Sequence, residues 1–346
     1  MTLPLVGRLA PSPTGAQHAG NARTYLIAWL SARARNGAVR LRIEDIDSPR
    51  IKPGAAEQAA TDLRWLGLDW DGAPVVQTAR LAHYEAALEA LKRLELVYPC
   101  TCTRSDVAAA ASAPHEGARK GVPGEPAGAS PSQAEVTYPG TCSHRRAADA
   151  VALAAEGKPF AWRFRVSDGP AFTDLFAGEQ HLDLRLSGGD FVVWKSNRGG
   201  QGEPVREAPS QAGTPAYQLA VVVDDAAMGV TEVVRGDDLI PSTPRQLLLY
   251  RALGLTAPRF AHVPLVVGED GRRLGKRHGD TRLSALRAAG VPPEALVGLL
   301  GWSCGWLERP EPVSARELLP QFRLDAIPPR PFVLTAELLR GIGYGG

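Results

Sequence analysis

Hydrophobic and polar positions along this chain change period several times, and each change marks an element. Leu5 to Ala10 is a short apolar run bounded by proline, which predicts a buried strand. Pro11, Pro13 and Gly15 can neither continue a strand nor start a helix, so a stiff loop follows. From Asn21 the pattern becomes that of an amphipathic helix, closed by Gly37. Residues 39–43 alternate apolar and basic positions and predict a second strand, which completes a βαβ unit. Helical patterns recur over 55–66 and 81–96; in the second, Leu81, Tyr84, Leu88 and Leu91 share a face. Gly67 to Gly72 is a turn-rich link between them. Strands are predicted at 160–166, 172–176, 191–195, 231–235 and 263–267. The continuous apolar centre of 217–225 has no period, so it reads as a strand or helix segment buried on both sides. A helix capped by Ser242, with Pro244 near its start, is predicted over 242–251. An apolar helix around 294–300 precedes proline-broken segments that run through Pro331.

Composition changes this picture little. At 346 residues, 44% hydrophobic and 22% charged, the chain has room for two or three domains of a soluble globular protein. It has no apolar run near 18 residues and no secretory signal pattern, so a cytoplasmic protein is expected. A net charge of +2 does not announce a nucleic-acid partner, which would need a local basic face.

The chemistry concentrates in three places. A strand, a tight loop and a helix N-terminus make an anion site at 5–24, because free N–H groups and the helix dipole converge there. His18 stands just ahead of that helix, and Gly20 allows a ligand close to the backbone. Glu44, Asp45 and Asp47 follow the second strand, at the end where parallel sheets bind ligands. Cys100, Cys102 and Cys142 suggest a tetrahedral zinc site, for which His144 is the best fourth ligand on bare chemistry. The intervening stretch 108–133, rich in Ala, Gly, Pro and Ser, predicts a mobile segment, and 199–213 an exposed loop.

Arg-Leu-Ala-Pro-Ser-Pro-Thr-Gly at 8–15, with His-Ala-Gly-Asn at 18–21, resembles the first signature of glutamyl-type class I aminoacyl-tRNA synthetases. Arg-Ile-Glu-Asp-Ile-Asp at 42–47 resembles their acidic motif, and the block around Tyr217 and Arg235 agrees almost residue by residue. Arg273-Leu-Gly-Lys-Arg looks like the KMSKS signature, with Lys276 at its second lysine, Arg273 at the first and Gly275 replacing the serine. The resemblance implies an α/β fold: a Rossmann-type (HUP-like) parallel-sheet catalytic domain, an inserted zinc-binding, acceptor-type subdomain and a short helical C-terminal segment. The corresponding divisions are 1–96, 97–195, 196–285 and 286–346.

It also implies roles. Arg8, Leu9, Ala10, Pro11, Ser12, Glu44, Tyr217 and Arg235 would hold glutamate, Glu44 taking its ammonium and Arg235 its side-chain carboxylate. His18, Gly20, Asn21 and Lys276 would serve ATP, with His18, Asn21 and Lys276 as the catalytic set and Mg2+ accompanying the nucleotide. For zinc the resemblance points to Cys100, Cys102, Tyr138 and Cys142. Two departures are visible: Val221 stands where several glutamyl synthetases have Asn, and Gly275 lacks the hydroxyl. The stretch after Lys276 is too short for a full anticodon-binding domain, which with the cysteine pattern is the profile of glutamyl-Q tRNA(Asp) synthetases. That family transfers glutamate to queuosine in the anticodon of tRNA(Asp). The expected partners are therefore ATP, L-glutamate and queuosine-bearing tRNA(Asp), with no membrane and a monomeric chain. Two alternatives stand beside this: a minimal glutamyl-tRNA synthetase charging a tRNA 3′ end, and a catalytically silent RNA-binding paralogue.

Overall fold

β1 (Val6–Leu9) and β2 (Ala38–Ile43) pair in parallel, Leu9 opposite Leu41, with α1 (Ala19–Arg33) as the crossover between them. This is a computed structural model; it describes residues 4–13, 16–46, 51–112, 137–196, 213–274 and 281–345. Lys276, Gly275, Asp47, Gly15, and most of the 108–133 and 199–213 stretches fall outside the described residues.

α1 begins two residues before the expected point and is not amphipathic in place. Leu26, Ile27, Trp29 and Leu30 are buried, and so are Arg23 and Ser31. The polar positions are buried because each has a partner. Arg23 donates through Nη1 to the Pro264 carbonyl at 2.7 Å and through Nε to Ser303 Oγ at 2.9 Å. Ser31 donates to Glu232 Oε1 at 2.6 Å. Hydrogen bonding of this kind removes most of the cost of burying a polar side chain.

α2 (Ala55–Trp65) leads to β3 (Val75–Val76), which pairs in parallel with β2, and then to α3 (Leu81–Arg93). Tyr84, Leu88 and Leu91 bury their shared face as predicted. Leu81 does not, because a 3-10 turn over Gln77–Arg80 delivers the chain to the helix at the surface. The next elements are β4 (Val97–Cys100), α4 (Arg104–Ser112), α5 (Asp149–Ala155), β5 (Ala161–Phe164), β6 (Phe172–Asp174), β7 (Gly178–Gln180), β8 (Phe191–Ser196) and β9 (Gly213–Pro215). β4, β5, β8 and β9 form an antiparallel sheet in that order, while β6 and β7 make a separate hairpin.

The segment left open between strand and helix is α6 (Tyr217–Ala227). Leu219 to Val222 are all buried, so no face of the helix is marked by polarity. β10 (Glu232–Gly236) then lies beside β1, with the Thr231 N–H donating to the Val6 carbonyl at 2.9 Å. α7 (Thr243–Ala252) has no side-chain cap from Ser242, because a 3-10 turn over Asp237–Ser242 already supplies its entry. Ser242 Oγ instead accepts from Gln218 at 3.0 Å. β11 (Arg259–Val263) pairs in parallel with β10, setting Arg235 opposite His262.

The strand expected over 263–267 is interrupted at Pro264 and resumes as β12 (Val266–Val267). α8 (Leu283–Ala288), α9 (Pro293–Ser303), β13 (Phe332–Val333) and α10 (Ala336–Gly341) follow, and β13 pairs in parallel with β12. One core surrounds α1, taking in α9 and the C-terminal segments. A second joins α3, α6 and α7 to the β5 and β8 faces of the antiparallel sheet. Each fully buried Leu, Ile or Phe in them contributes about 1.5–3 kcal/mol.

Candidate active site

The C-terminal ends of β1, β2 and β10 open into one cleft of about 480 Å³, walled on one side by α1. Gly20, Asn21, Thr24, Tyr25 and Ala28 line it, spaced to form a single helical face. Arg8, Ala10, Ser12, Glu44, Tyr217 and Arg235 line it together with His18, so the structure gathers these sequence-predicted residues. Leu9 does not line it, because its side chain is in the core opposite Leu41. Pro11 is buried behind it, its carbonyl accepting the Glu44 N–H at 3.0 Å.

The His-x-Gly-Asn sequence builds the entrance of α1. His18 is the N-cap, and its Nδ1 accepts the Gly20 N–H at 3.2 Å. Asn21 Oδ1 returns the bond by accepting the His18 N–H at 3.2 Å. Two N–H groups at the helix start are thereby satisfied. A Cβ on Gly20 would come within 3.1 Å of the His18 ring, so any larger residue would push the ring back by a few tenths of an ångström. With Nδ1 accepting, the neutral ring carries its proton on Nε2. Burial, aided by the Arg273 charge, pushes His18 down to about 4.

Glu44 is fixed by charge. Arg42, with no exposed surface, donates to Glu44 Oε1 from Nε at 3.2 Å and Nη2 at 2.9 Å. Ser12 Oγ donates to Glu44 Oε2 at 3.2 Å. Arg42 also bonds Asp225 through Nη1, and its Nε lies 4.0 Å from Asp224. Asp224 in turn accepts from Gln77 Nε2 at 2.8 Å, Arg80 Nε at 2.7 Å and the Tyr84 hydroxyl at 2.8 Å. Arg8 completes the group: Nη1 donates to the Val234 carbonyl at 3.1 Å and Nε stands 3.7 Å from Asp225.

Arg235 enters from β10. Its Nε donates to His262 Nε2 at 2.9 Å and its Nη2 to Thr243 Oγ1 at 2.8 Å. Nη1 is buried and has no partner. Burial lowers the pKa of this guanidinium, so an anion set against Nη1 would restore what desolvation removes. Sequence reasoning passed over His262, Arg42, Asp225 and Asp174. The one available signal was a polar residue inside the apolar run of β11.

At the far end of the cleft, Arg273 Nη1 pairs with Asp238 at 2.8 Å, and both line the opening. Arg273 also bridges to Val267, while the Thr281 carbonyl accepts the Ala19 N–H at 3.0 Å. Lys276 lies outside the described residues; Arg273 and Leu274 line the cleft.

A second cluster lies at the end of β4. The Cys100, Cys102 and Cys142 sulfurs are all within 4.8 Å of one another. The Tyr138 hydroxyl is 3.4 Å from Cys100 Sγ and accepts the Cys142 N–H at 2.9 Å. Arg163 Nε and Arg145 Nη1 donate to Cys100 and Cys142 Sγ at 3.3 and 3.4 Å. Burial opposes ionisation of Cys142, yet hydrogen bonds around its sulfur bring the thiol down to about 7. Burial and the neighbouring Cys100 push Cys102 up to about 11. Three sulfurs at this spacing, two of them facing guanidinium donors, can hold a metal ion. His144 is exposed and is not part of the cluster.

Comparison with known proteins accords with this geometry. Residues 4–326 match the model of the tRNA synthetases class I (E and Q) catalytic domain. The chain is 55% identical over 303 residues to the glutamyl-Q tRNA(Asp) synthetase of Rhodopirellula baltica, covering 87% of this chain and 85% of that protein. It is 47% identical to the one from Symbiobacterium thermophilum, over 99% of both. The crystal structure of a glutamate tRNA ligase from Elizabethkingia meningosepticum superposes with a TM-score of 0.76 at 25% identity, covering 98% of this chain and 68% of that one. Among the described residues no helix is long and apolar enough to cross a membrane. The chain is thus an enzyme of ligase type and belongs to the class I tRNA synthetases for glutamate and glutamine, in their glutamyl-Q tRNA(Asp) synthetase family.

Proposed function

We propose that the protein activates glutamate with ATP and transfers the glutamyl group to queuosine in the anticodon of tRNA(Asp). The observation that carries this reading is the buried, unpartnered Nη1 of Arg235 in a cleft that also presents Glu44 and His18. A guanidinium edge suits a side-chain carboxylate and rejects the neutral amide of glutamine. Glu44, held by Arg42, offers a fixed anion for the substrate ammonium. Arg8, Ser12, Tyr217 and the backbone through Leu9, Ala10 and Pro11 would close around the amino acid.

The nucleotide would take the other end. His18 Nε2–H and the positive end of the α1 dipole would meet the phosphates, and Asn21 keeps that helix entrance in shape. An oxygen of the glutamate α-carboxylate attacks the α-phosphorus and the bond to pyrophosphate breaks; Lys276 would offset the charge that leaves, and Mg2+ bound with the nucleotide would supply further positive charge. A nucleoside hydroxyl then attacks the activated carbonyl. AMP departs, and the hydroxyl proton passes to solvent. No protein nucleophile is needed, since alignment of the two substrates supplies much of the acceleration.

The cysteine cluster fits zinc, a metal that prefers thiolate donors in tetrahedral array. Cys100, Cys102 and Cys142, with the Tyr138 hydroxyl as fourth donor, would hold it, and the ion would tie the segments around β4 together. The reading places the protein in the cytoplasm with its tRNA.

The test is glutamylation of purified tRNA(Asp), with and without queuosine, using labelled glutamate and ATP. Labelling that requires queuosine supports the reading. The likeness to a glutamate tRNA ligase favours a second one, charging of a tRNA 3′ end, and labelling of unmodified tRNA(Glu) alone would establish that instead.

A further inference from the structure

We propose that His262, held in one tautomer by Asp174, is a positioning residue that sets the Arg235 guanidinium edge-on to the cleft and so fixes selectivity for a side-chain carboxylate. The inference deepens the glutamate reading and rests on it.

The geometry is a chain of three side chains from three elements. Arg235, on β10, is a donor at every nitrogen, so its Nε–H requires a lone pair on His262 Nε2, 2.9 Å away. The Thr243 hydroxyl, 3.2 Å from the same Nε2, accepts from Arg235 Nη2 and is free to turn its own proton towards the ring. A neutral ring with a lone pair on Nε2 carries its proton on Nδ1, which is 2.6 Å from Asp174 Oδ2. Asp174, at the end of β6, is itself fixed, because Oδ1 accepts the N–H groups of Phe176, Ala177 and His262 at 2.9, 2.8 and 3.0 Å.

Every other arrangement loses a bond. With the proton on Nε2, or with both nitrogens protonated, an N–H of the ring would oppose an N–H of Arg235. His262 is 1% exposed, so water cannot repair the mismatch. Burial also keeps the ring neutral by lowering its pKa, while the hydrogen bonds to Asp174 hold that carboxyl below its ordinary range in spite of burial. The result is a guanidinium whose Nε and Nη2 sides are occupied and whose Nη1 alone remains for a ligand. A guanidinium left to rotate would present different edges in turn, and its bond to a carboxylate would lose the orientation that separates it from an amide.

The most telling variant is Asp174→Asn. Its amide oxygen can still accept the three backbone N–H groups, but its amide nitrogen donates to His262 Nδ1 and drives the ring proton to Nε2. In this variant the KM for glutamate in ATP–pyrophosphate exchange should rise about tenfold or more, while the KM for ATP stays within about twofold. His262→Ala should behave in the same way. His262→Gln supplies an acceptor oxygen near the place of Nε2, so it should remain within about threefold of the wild type and make a further Asp174→Asn change nearly silent. Nitrogen-15 NMR of the histidine rings should find His262 protonated on Nδ1 in the wild type and on Nε2 in Asp174→Asn, with or without glutamate. A wild-type ring protonated on Nε2, or a glutamate KM unchanged in folded Asp174→Asn, overturns the proposal. Should the wild type show no glutamate-dependent exchange, the glutamate reading fails, and the ring tautomer still decides whether Asp174 and His262 fix Arg235.

Discussion

Arg42 holds Glu44 Oε1 at 2.9 Å from a position with no exposed surface, so the acid that faces the cleft is anchored by a cation behind it. The same guanidinium serves Asp225 and stands beside Asp224, which places three carboxylates around one buried charge. Neighbouring acids raise the Arg42 pKa well above its ordinary value in spite of burial. Removing one member of such a group leaves the others charged and unpaired.

Arg42→Met should therefore cost about 3–5 kcal/mol of stability, read from denaturant unfolding at neutral pH. A loss below about 1 kcal/mol would mean that Arg8 and Arg80 suffice to balance the acids.

Arg235→Ala should reduce glutamate-dependent ATP–pyrophosphate exchange by about a hundredfold or more in kcat/KM. Arg235→Lys should not restore it, because an ammonium cannot bond His262 and Thr243 and still face the ligand. Activity near the wild-type value in either variant would remove Arg235 from the substrate site.

His18 gives a pH signature. The folded protein keeps the ring neutral down to about 4, whereas an unfolded chain takes up the proton near 6.5. Between these values the unfolded state binds more protons, so stability falls as the pH is lowered from 6.5 towards 4. His18→Asn keeps a helix cap and removes the titration. Its unfolding free energy should lose less than the wild type over that interval, and parallel profiles would contradict the burial of the ring.

Metal analysis of the purified protein should find one zinc per chain, retained in His144→Ala and lost in Cys102→Ser. Tyr138→Phe should weaken retention about ten- to a hundredfold in a competition with a chelator. Zinc lost in His144→Ala and kept in Tyr138→Phe would exchange the roles of those two residues.

Much of the catalytic framework was legible because its elements carry a period. β1 and β2 announce themselves by short apolar or alternating runs, and α3 by a stripe at helical spacing. Where burial is complete the period disappears: Leu219 to Val222 are hidden on every side of α6, so strand and helix read alike. α1 misleads in the opposite direction. Arg23 and Ser31 look like a solvent face, yet each is buried against a partner more than 200 positions away. The site divides in the same way. His18, Asn21, Glu44 and Arg235 sit in recognisable local motifs, but Asp174 meets His262 across 88 positions, and no local pattern encodes that meeting.

α1 is both the centre of one core and a wall of the cleft, with His18 as its first cap. Any fluctuation that loosens this helix must expose Trp29 and Leu30 and spoil the His18–Asn21 cap at the cleft at once. The catalytic wall has no soft layer between itself and the fold. Heat inactivation and global unfolding should accordingly follow one curve, and a population that is still folded but catalytically dead should not accumulate on the way.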